Sequence, residues 1–162
     1  MRSILRRLLG KQQAAPPMLA AGSKAPEFNV KAHDGSTVSL GSLRGKKIVL
    51  WFFPKADTPG CTVEGSSFRD HYAGFRERGA QVLGCSFDTA ADNKAFADKY
   101  GFPFPLLCDT SRSVGLAYGA CRDASAKHAR RITYVIDEEG RIAHALPDVD
   151  PTTHIAKVLA LL

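Results

Sequence analysis

The sequence predicts an α/β sandwich with a mixed central sheet, helices on both faces and an added N-terminal β-hairpin. Three observations predict it. The run "KKIVLWFF" (46–53) is almost continuously apolar and rich in strand formers, as a central strand covered on both faces requires. After it, strand-like runs alternate with amphipathic helical stretches, the order that gives parallel neighbours joined by right-handed crossovers. A hairpin and a helix then close the chain.

Taken in order, "FNVKAHDGSTVSL" (28–40) reads as two short strands around the turn signal Asp34-Gly35. "KKIVLWFF" is the central strand. "TVEGSSFRDHYAGFRERG" (62–79) reads as one helix, with Val63, Phe68, Tyr72 and Phe75 on one face and Gly79 as its stop. "AQVLGCSF" (80–87) is the next strand. "TAADNKAFADKYG" (89–101) is a helix with Thr89 as N-cap and Gly101 past its end. "FPFPLLCD" (102–109) gives a short strand and "SRSVGLAYG" (111–119) a short helix. "RITYVID" and "RIAHAL" form a hairpin across "EEG", and "PTTHIAKVLALL" (151–162) is a closing amphipathic helix. This order suits a thioredoxin-like sandwich.

Size and composition narrow the function. The chain's 162 residues fit one domain with a sizeable core. With 44% hydrophobic and 23% charged residues it has the make-up of a soluble globular protein. No apolar stretch approaches the roughly 18 residues of a membrane span. The formal net charge is +6, but Lys and Arg are scattered, five of the 22 fall in the first 26 residues, and no nucleic-acid-binding motif accompanies them. No nucleic-acid partner is expected. "MRSILRRLLG" sets Ile4, Leu5, Leu8 and Leu9 on one helical stripe, free of acids, and faintly resembles an organelle transit peptide or a surface-binding helix. "KQQAAPPMLAAGS" reads as a linker. Residues 1–22 are therefore expected to be a basic segment and linker, and 23–162 the domain. Cytoplasm is the expected compartment, with organelle targeting left open.

Four cysteines are present: Cys61, Cys85, Cys108 and Cys121. They form no CxxC pair, so neither a zinc site nor any other cofactor is expected. At this density in a large core, working thiols in a reducing compartment are a better reading than structural disulfides. "WFFPKADTPGC" (51–61) carries the central strand into a turn that ends at a thiol. If a helix follows, Cys61 sits at the carboxyl end of that strand and in the helix's first turn, where open α/β sheets place their sites. Pro59 suits a helix start, and Gly60 permits close approach. First-turn N–H groups lack helical partners and carry the positive end of the dipole, which favours a thiolate over a thiol. Thr58 can turn its hydroxyl toward the sulfur. Pro54 would shield the pocket and fix the path of the chain into it.

These residues carry a resemblance. "PKADTPGC" (54–61) resembles the peroxiredoxin signature PxxxTxxC, and "FFPKADTPGCTVEGSSFRD" is similar to the bacterioferritin-comigratory, or Q-type, subfamily. The similarity runs on through "VLGCSFDTAADNKAFADKYGFPFPLL" and "RRITYVIDEEGRI", from about residue 23 to the end. It implies a thiol peroxidase that reduces hydrogen peroxide and organic hydroperoxides through a cysteine sulfenic acid on Cys61. It implies that Thr58 contacts thiolate or peroxide and that Arg131 supplies a guanidinium to the charge developing on the leaving oxygen. Glu64 either orients that arginine or simply favours the helix N-terminus as an acid. The reductant is expected to be a thioredoxin-type dithiol or a small thiol, and the protein a monomer or weak dimer.

The pattern breaks at Ser66, where many Q-type members carry a resolving cysteine five residues after the peroxidatic one. A hydroxyl cannot condense with a sulfenic acid to a disulfide. Cys85 reads as a small core residue. Mobility then favours Cys121, in "YGACRDASAKHARR", as an internal resolver, followed by Cys108; an external thiol acting on Cys61 alone is the other route. A thioredoxin-like thiol–disulfide oxidoreductase or a thiol redox sensor is the alternative function. Insulin-disulfide reduction would reveal the first, and oxidation without steady-state turnover the second.

Overall fold

In the computed structural model, which describes residues 15–162, Lys47–Phe52 (β3) is the middle strand of a five-stranded mixed sheet. The other strands are Ala80–Ser86 (β4), Leu106–Cys108 (β5), Ile132–Ile136 (β6) and Ile142–Leu146 (β7), in the order β5-β4-β3-β6-β7. β3, β4 and β5 are parallel; β6 runs antiparallel to β3, and β7 to β6. Side chains alternate across β3. Ile48, Leu50 and Phe52 enter one core layer, while Val49 and Trp51, with Phe53 beyond the strand, enter the other.

The two layers are covered differently. Helices Pro59–Asp70 (α1), Tyr72–Glu77 (α2), Ala90–Tyr100 (α3) and His154–Ala160 (α5) pack on the Trp51 side through Phe68, Phe75, Phe96, Ile155 and Val158. The Phe52 side is closed by Ser113–Ala117 (α4), by Tyr118 and by the N-terminal hairpin, Asn29–Lys31 (β1) with Thr37–Ser39 (β2). Asp34-Gly35 forms the hairpin turn, with Gly35 in the left-handed region (φ 85°) as only glycine readily allows. Each sheet edge carries one isolated bridge from the N-terminal part of the chain. Ala32 bridges Leu107 at β5, and Lys24 bridges Arg141 next to β7.

Local signals explain the helix ends. Thr89 accepts from the Asp92 N–H at 3.2 Å as N-cap of α3, and Gly101 ends it in the left-handed region. The single helix expected over 62–78 is instead two. The chain breaks at His71, whose ring Nδ1 lies 2.9 Å from the Ser67 carbonyl, and α2 starts afresh so that Phe75 meets Phe68 at 5.5 Å. Val63 does not join the core face; it is 45% exposed. The basic segment with its apolar stripe of Ile4, Leu5, Leu8 and Leu9 lies outside the described residues. Just after it in the chain, Met18 and Leu19 pack on the core, Arg130 donates to the Pro16 carbonyl at 2.8 Å, and the Leu19 N–H donates to the Tyr134 hydroxyl at 3.1 Å. Among the described residues no helix is long and apolar enough to cross a membrane.

Candidate active site

The site forms where β3 passes into α1. Thr58 is the N-cap of α1 in extended conformation, Pro59 is its first residue and Cys61 lies in its first turn. The first bond of the helix ladder runs from the Thr62 N–H to the Thr58 carbonyl at 2.8 Å, so the N–H groups of Gly60 and Cys61 precede it. Cys61 is fully buried in the Trp51 layer, directly beneath this positive end.

Arg131 reaches the same point from the start of β6. Its Nη2 lies 3.4 Å from Cys61 Sγ, and its Nη1 donates to Glu64 Oε1 at 3.3 Å. Cys61 and Glu64 are three residues apart and so share a helix face, which lets one planar guanidinium span both. Gly60 makes room for it: a Cβ there would stand 2.9 Å from Arg131 Nη2. The close approach that Gly60 permits is made by a side chain. Glu64 has no exposed surface, and among the described residues its Oε2 has no hydrogen-bond partner. Burial pushes its carboxyl up to about 7, although the adjacent Arg131 pulls the other way.

The loop that leads into α1 is tied down by three of its residues. The Thr58 hydroxyl donates to the Lys55 carbonyl at 2.8 Å, which commits its proton and leaves its oxygen lone pairs as acceptors. The Ala56 N–H donates to Asp88 at 2.9 Å. Asp57 adopts a left-handed φ of 56°, and its carboxylate takes Lys99 Nζ at 2.9 Å and the Tyr100 hydroxyl at 2.8 Å. Pro54 is half-buried at the head of this loop. The Asp57 clamp escaped the sequence reading, because its partners stand more than 40 residues away.

The remaining thiols stand apart. All four cysteines are free. Cys121 and Cys85 belong to the Phe52 layer, across the sheet from Cys61. Burial, helped by Asp109, pushes both thiols above their ordinary value. Cys108 is buried at the end of β5, with Asn93 Nδ2 3.5 Å from its sulfur. The structure thus brings Cys61, Glu64 and Arg131 into contact, keeps Thr58 as the N-cap of the same helix with its hydroxyl turned to Lys55 rather than to the sulfur, and sets Cys121 in the other core layer and Cys108 against Asn93.

A buried thiol under a helix N-terminus, facing an arginine, can attack an electrophilic oxygen and stabilise the anion that departs. Known proteins match the chain. The family model of the AhpC/TSA family matches residues 21–145. A chloroplastic peroxiredoxin Q from Triticum aestivum is 40% identical over 145 residues, covering 89% of this chain and 67% of that one. Peroxidoxin BcpB from Mycobacterium tuberculosis superposes with a TM-score of 0.82 at 31% identity, covering 88% of this chain and 96% of the other. A Xanthomonas campestris bacterioferritin comigratory protein, described for its alkyl peroxide reduction activity, gives 0.80 at 28% identity over 87% and 96% of the two chains. The chain has the thioredoxin-like fold of these peroxiredoxins, and with the helix-capped thiol at the head of α1 it belongs to the AhpC/TSA family, as a thiol-dependent peroxidase of the peroxiredoxin Q type.

Proposed function

We propose that Cys61 is the peroxidatic thiol and that its sulfenic acid is reduced by an external thiol. The Cys61 thiolate attacks the terminal peroxide oxygen. An S–O bond forms, the O–O bond breaks, and two electrons pass from sulfur to the peroxide, which leaves as water or an alcohol once its oxygen gains a proton. Arg131 and the N–H groups ahead of the α1 ladder face the developing negative charge. Thr58, its own proton committed to Lys55, accepts from the peroxide O–H, and Pro54 excludes water. The contact of Arg131 with Cys61 at 3.4 Å carries this reading.

External reduction fits the placement of the other thiols. Ser66 replaces the nearby resolver, Cys121 lies across the sheet, and Cys108 faces Asn93. A first thiol condenses with the sulfenate to a mixed disulfide and water; a second thiol then releases Cys61. A thioredoxin-type dithiol or a small thiol meets this need. We read residues 23–162 as the catalytic domain, acting as a monomer or weak dimer in a reducing compartment such as the cytoplasm. The test is peroxide consumption with added dithiol, in wild type and Cys61→Ser, together with mass spectrometry after one equivalent of peroxide. We expect no turnover in the variant and a sulfenate on Cys61 without an internal disulfide. Near-wild-type turnover in the variant would overturn the assignment.

A further inference from the structure

Glu64 is a buried titratable group that the attack itself does not consume. Cys61 and Glu64 are both wholly shielded from solvent and share a single cation, Arg131. Ionising both would place two negative charges around one guanidinium in a dry pocket, with Glu64 Oε2 met by no donor. Unpaired buried charge is far more costly than a buried neutral acid. The neighbouring titratable group from α5 offers no second cation. His154 is buried, lies edge-on to Phe68, and has its Nε2 2.8 Å from the Thr133 hydroxyl. Burial, with Lys157 and Arg131 nearby, lowers it to about 4, so it is neutral at pH 7. Lys157 itself is exposed.

We propose that the reduced pocket keeps one proton on Glu64 beside a Cys61 thiolate, and that cleaving the peroxide transfers the pocket's negative charge from sulfur to Glu64. This rests on Cys61 being the peroxidatic thiol. The balance closes. Sulfur donates an electron pair to the terminal peroxide oxygen, which keeps its hydrogen and becomes the sulfenic acid. The other oxygen leaves as an anion and gains a proton, while Glu64 gives one up. Before the step Arg131 is paired with a thiolate and a neutral acid; after it, with a neutral sulfenic acid and a carboxylate. The guanidinium is never left facing two neutral groups, nor two anions. Burial already holds Glu64 near half-ionisation at neutral pH, and an anionic sulfur on the same guanidinium shifts it further toward the acid. Glu64 is a positioning and charge-balancing residue here, since nothing requires it to touch substrate.

The experiment counts protons. The full chain is mixed with one equivalent of hydrogen peroxide in weak buffer about one unit above neutral pH, where Glu64 beside a neutral sulfur is ionised, with an indicator dye, and the sulfenic acid is trapped and mapped. Wild type should take up almost no protons per sulfenic acid formed. Glu64→Gln, which mimics the neutral acid but cannot release its proton, should take up about one from solvent per sulfenic acid formed. A full proton taken up by wild type, or none by the variant, overturns the proposal. Infrared difference spectra give a check on unmutated protein: oxidation should bleach a protonated-carboxyl stretch, and an unchanged carboxyl region also overturns it. Sulfenate mapped to a cysteine other than Cys61 would instead defeat the underlying assignment, which keeps the two failures distinct.

Discussion

Both faces of the central sheet bury cysteines, and the two faces surround the sulfur differently. On the Phe52 face, the start of α4 is already occupied: Asp109 accepts from the N–H groups of Val114 at 3.2 Å and Gly115 at 2.7 Å. Cys85 and Cys121 in that layer meet burial and a carboxylate, and both thiols are pushed up. On the Trp51 face the start of α1 is capped by no side chain, Pro59 removes one donor, and an arginine takes the place that Asp109 holds opposite. Burial alone makes a thiol inert. What separates Cys61 from Cys85, both without exposed surface, is the sign of the charge beside it and a helix end left free.

The largest test of this comparison, after loss of Cys61 itself, removes the cation. Arg131→Met should slow peroxide attack about a hundredfold, the scale of losing one donor to a developing oxyanion. Trp51, in the same layer as Cys61, offers a fluorescence signal for stopped-flow measurement. An unchanged rate constant would mean that the helix terminus alone distinguishes the two faces. Gly60→Ala should come next, at about tenfold, because the new methyl group displaces a guanidinium whose placement matters on the ångström scale. Helical backbone accepts alanine there, so thermal stability should hold while the rate falls. If both stay at wild-type values, Arg131 can shift without consequence.

Asp57→Asn probes the loop that seals the Cys61 face. Its partners Lys99 and Tyr100 are surface groups, so the clamp is modest and sensitive to salt. Loosening it should slow peroxide attack about threefold and speed reduction of the sulfenate by an external dithiol by a similar factor, because a fully buried Cys61 must be uncovered before a second thiol can reach it. In wild type, raising ionic strength should move both rates the same way. Equal changes of both rates in one direction would show that the clamp supports the fold rather than the opening.

Much of this was legible in the chain because its causes are local. Thr89 and Gly101 mark α3, Asp34-Gly35 marks a hairpin, and the spacing of Pro54, Thr58 and Cys61 places the thiol in a helix's first turn. The unread parts depend on distant partners. Sequence leaves Glu64 between orienting the arginine and favouring the helix start, and only the contact with Arg131, 67 residues away, separates the two. The break at His71 has neither glycine nor proline to announce it; a ring nitrogen and the packing of Phe75 produce it. Val63 has helical spacing but faces solvent, since periodicity does not reveal which side of a helix meets the sheet. Cys121 sits in a stretch that looks mobile by composition, yet Ala120, Cys121 and Ala129 are buried and Arg130 N–H binds the Ala120 carbonyl at 2.8 Å.

Cys121 is also the subject of the smallest expected effect. Were it the internal resolver, Cys121→Ser would lengthen the life of the Cys61 sulfenate and hasten over-oxidation under excess peroxide. The structure offers Cys121 no short path. Its sulfur is packed so tightly against α4 that a Cβ on Gly115 would stand 3.3 Å from it, and the sheet separates it from Cys61. Reaching Cys61 would require opening both core layers rather than fraying one helix turn. Its thiol, raised by burial, is moreover a poor nucleophile at neutral pH. Cys121→Ser should therefore leave the peroxide rate constant, the sulfenate lifetime and the rate of over-oxidation within about twofold of wild type. It should lower stability by about 1 kcal/mol, for a buried hydroxyl in place of a thiol. Trapping sulfenate over time in wild type and variant decides the matter. A markedly longer lifetime in the variant, with a Cys61–Cys121 peptide in the wild type, would show that the two faces communicate after all.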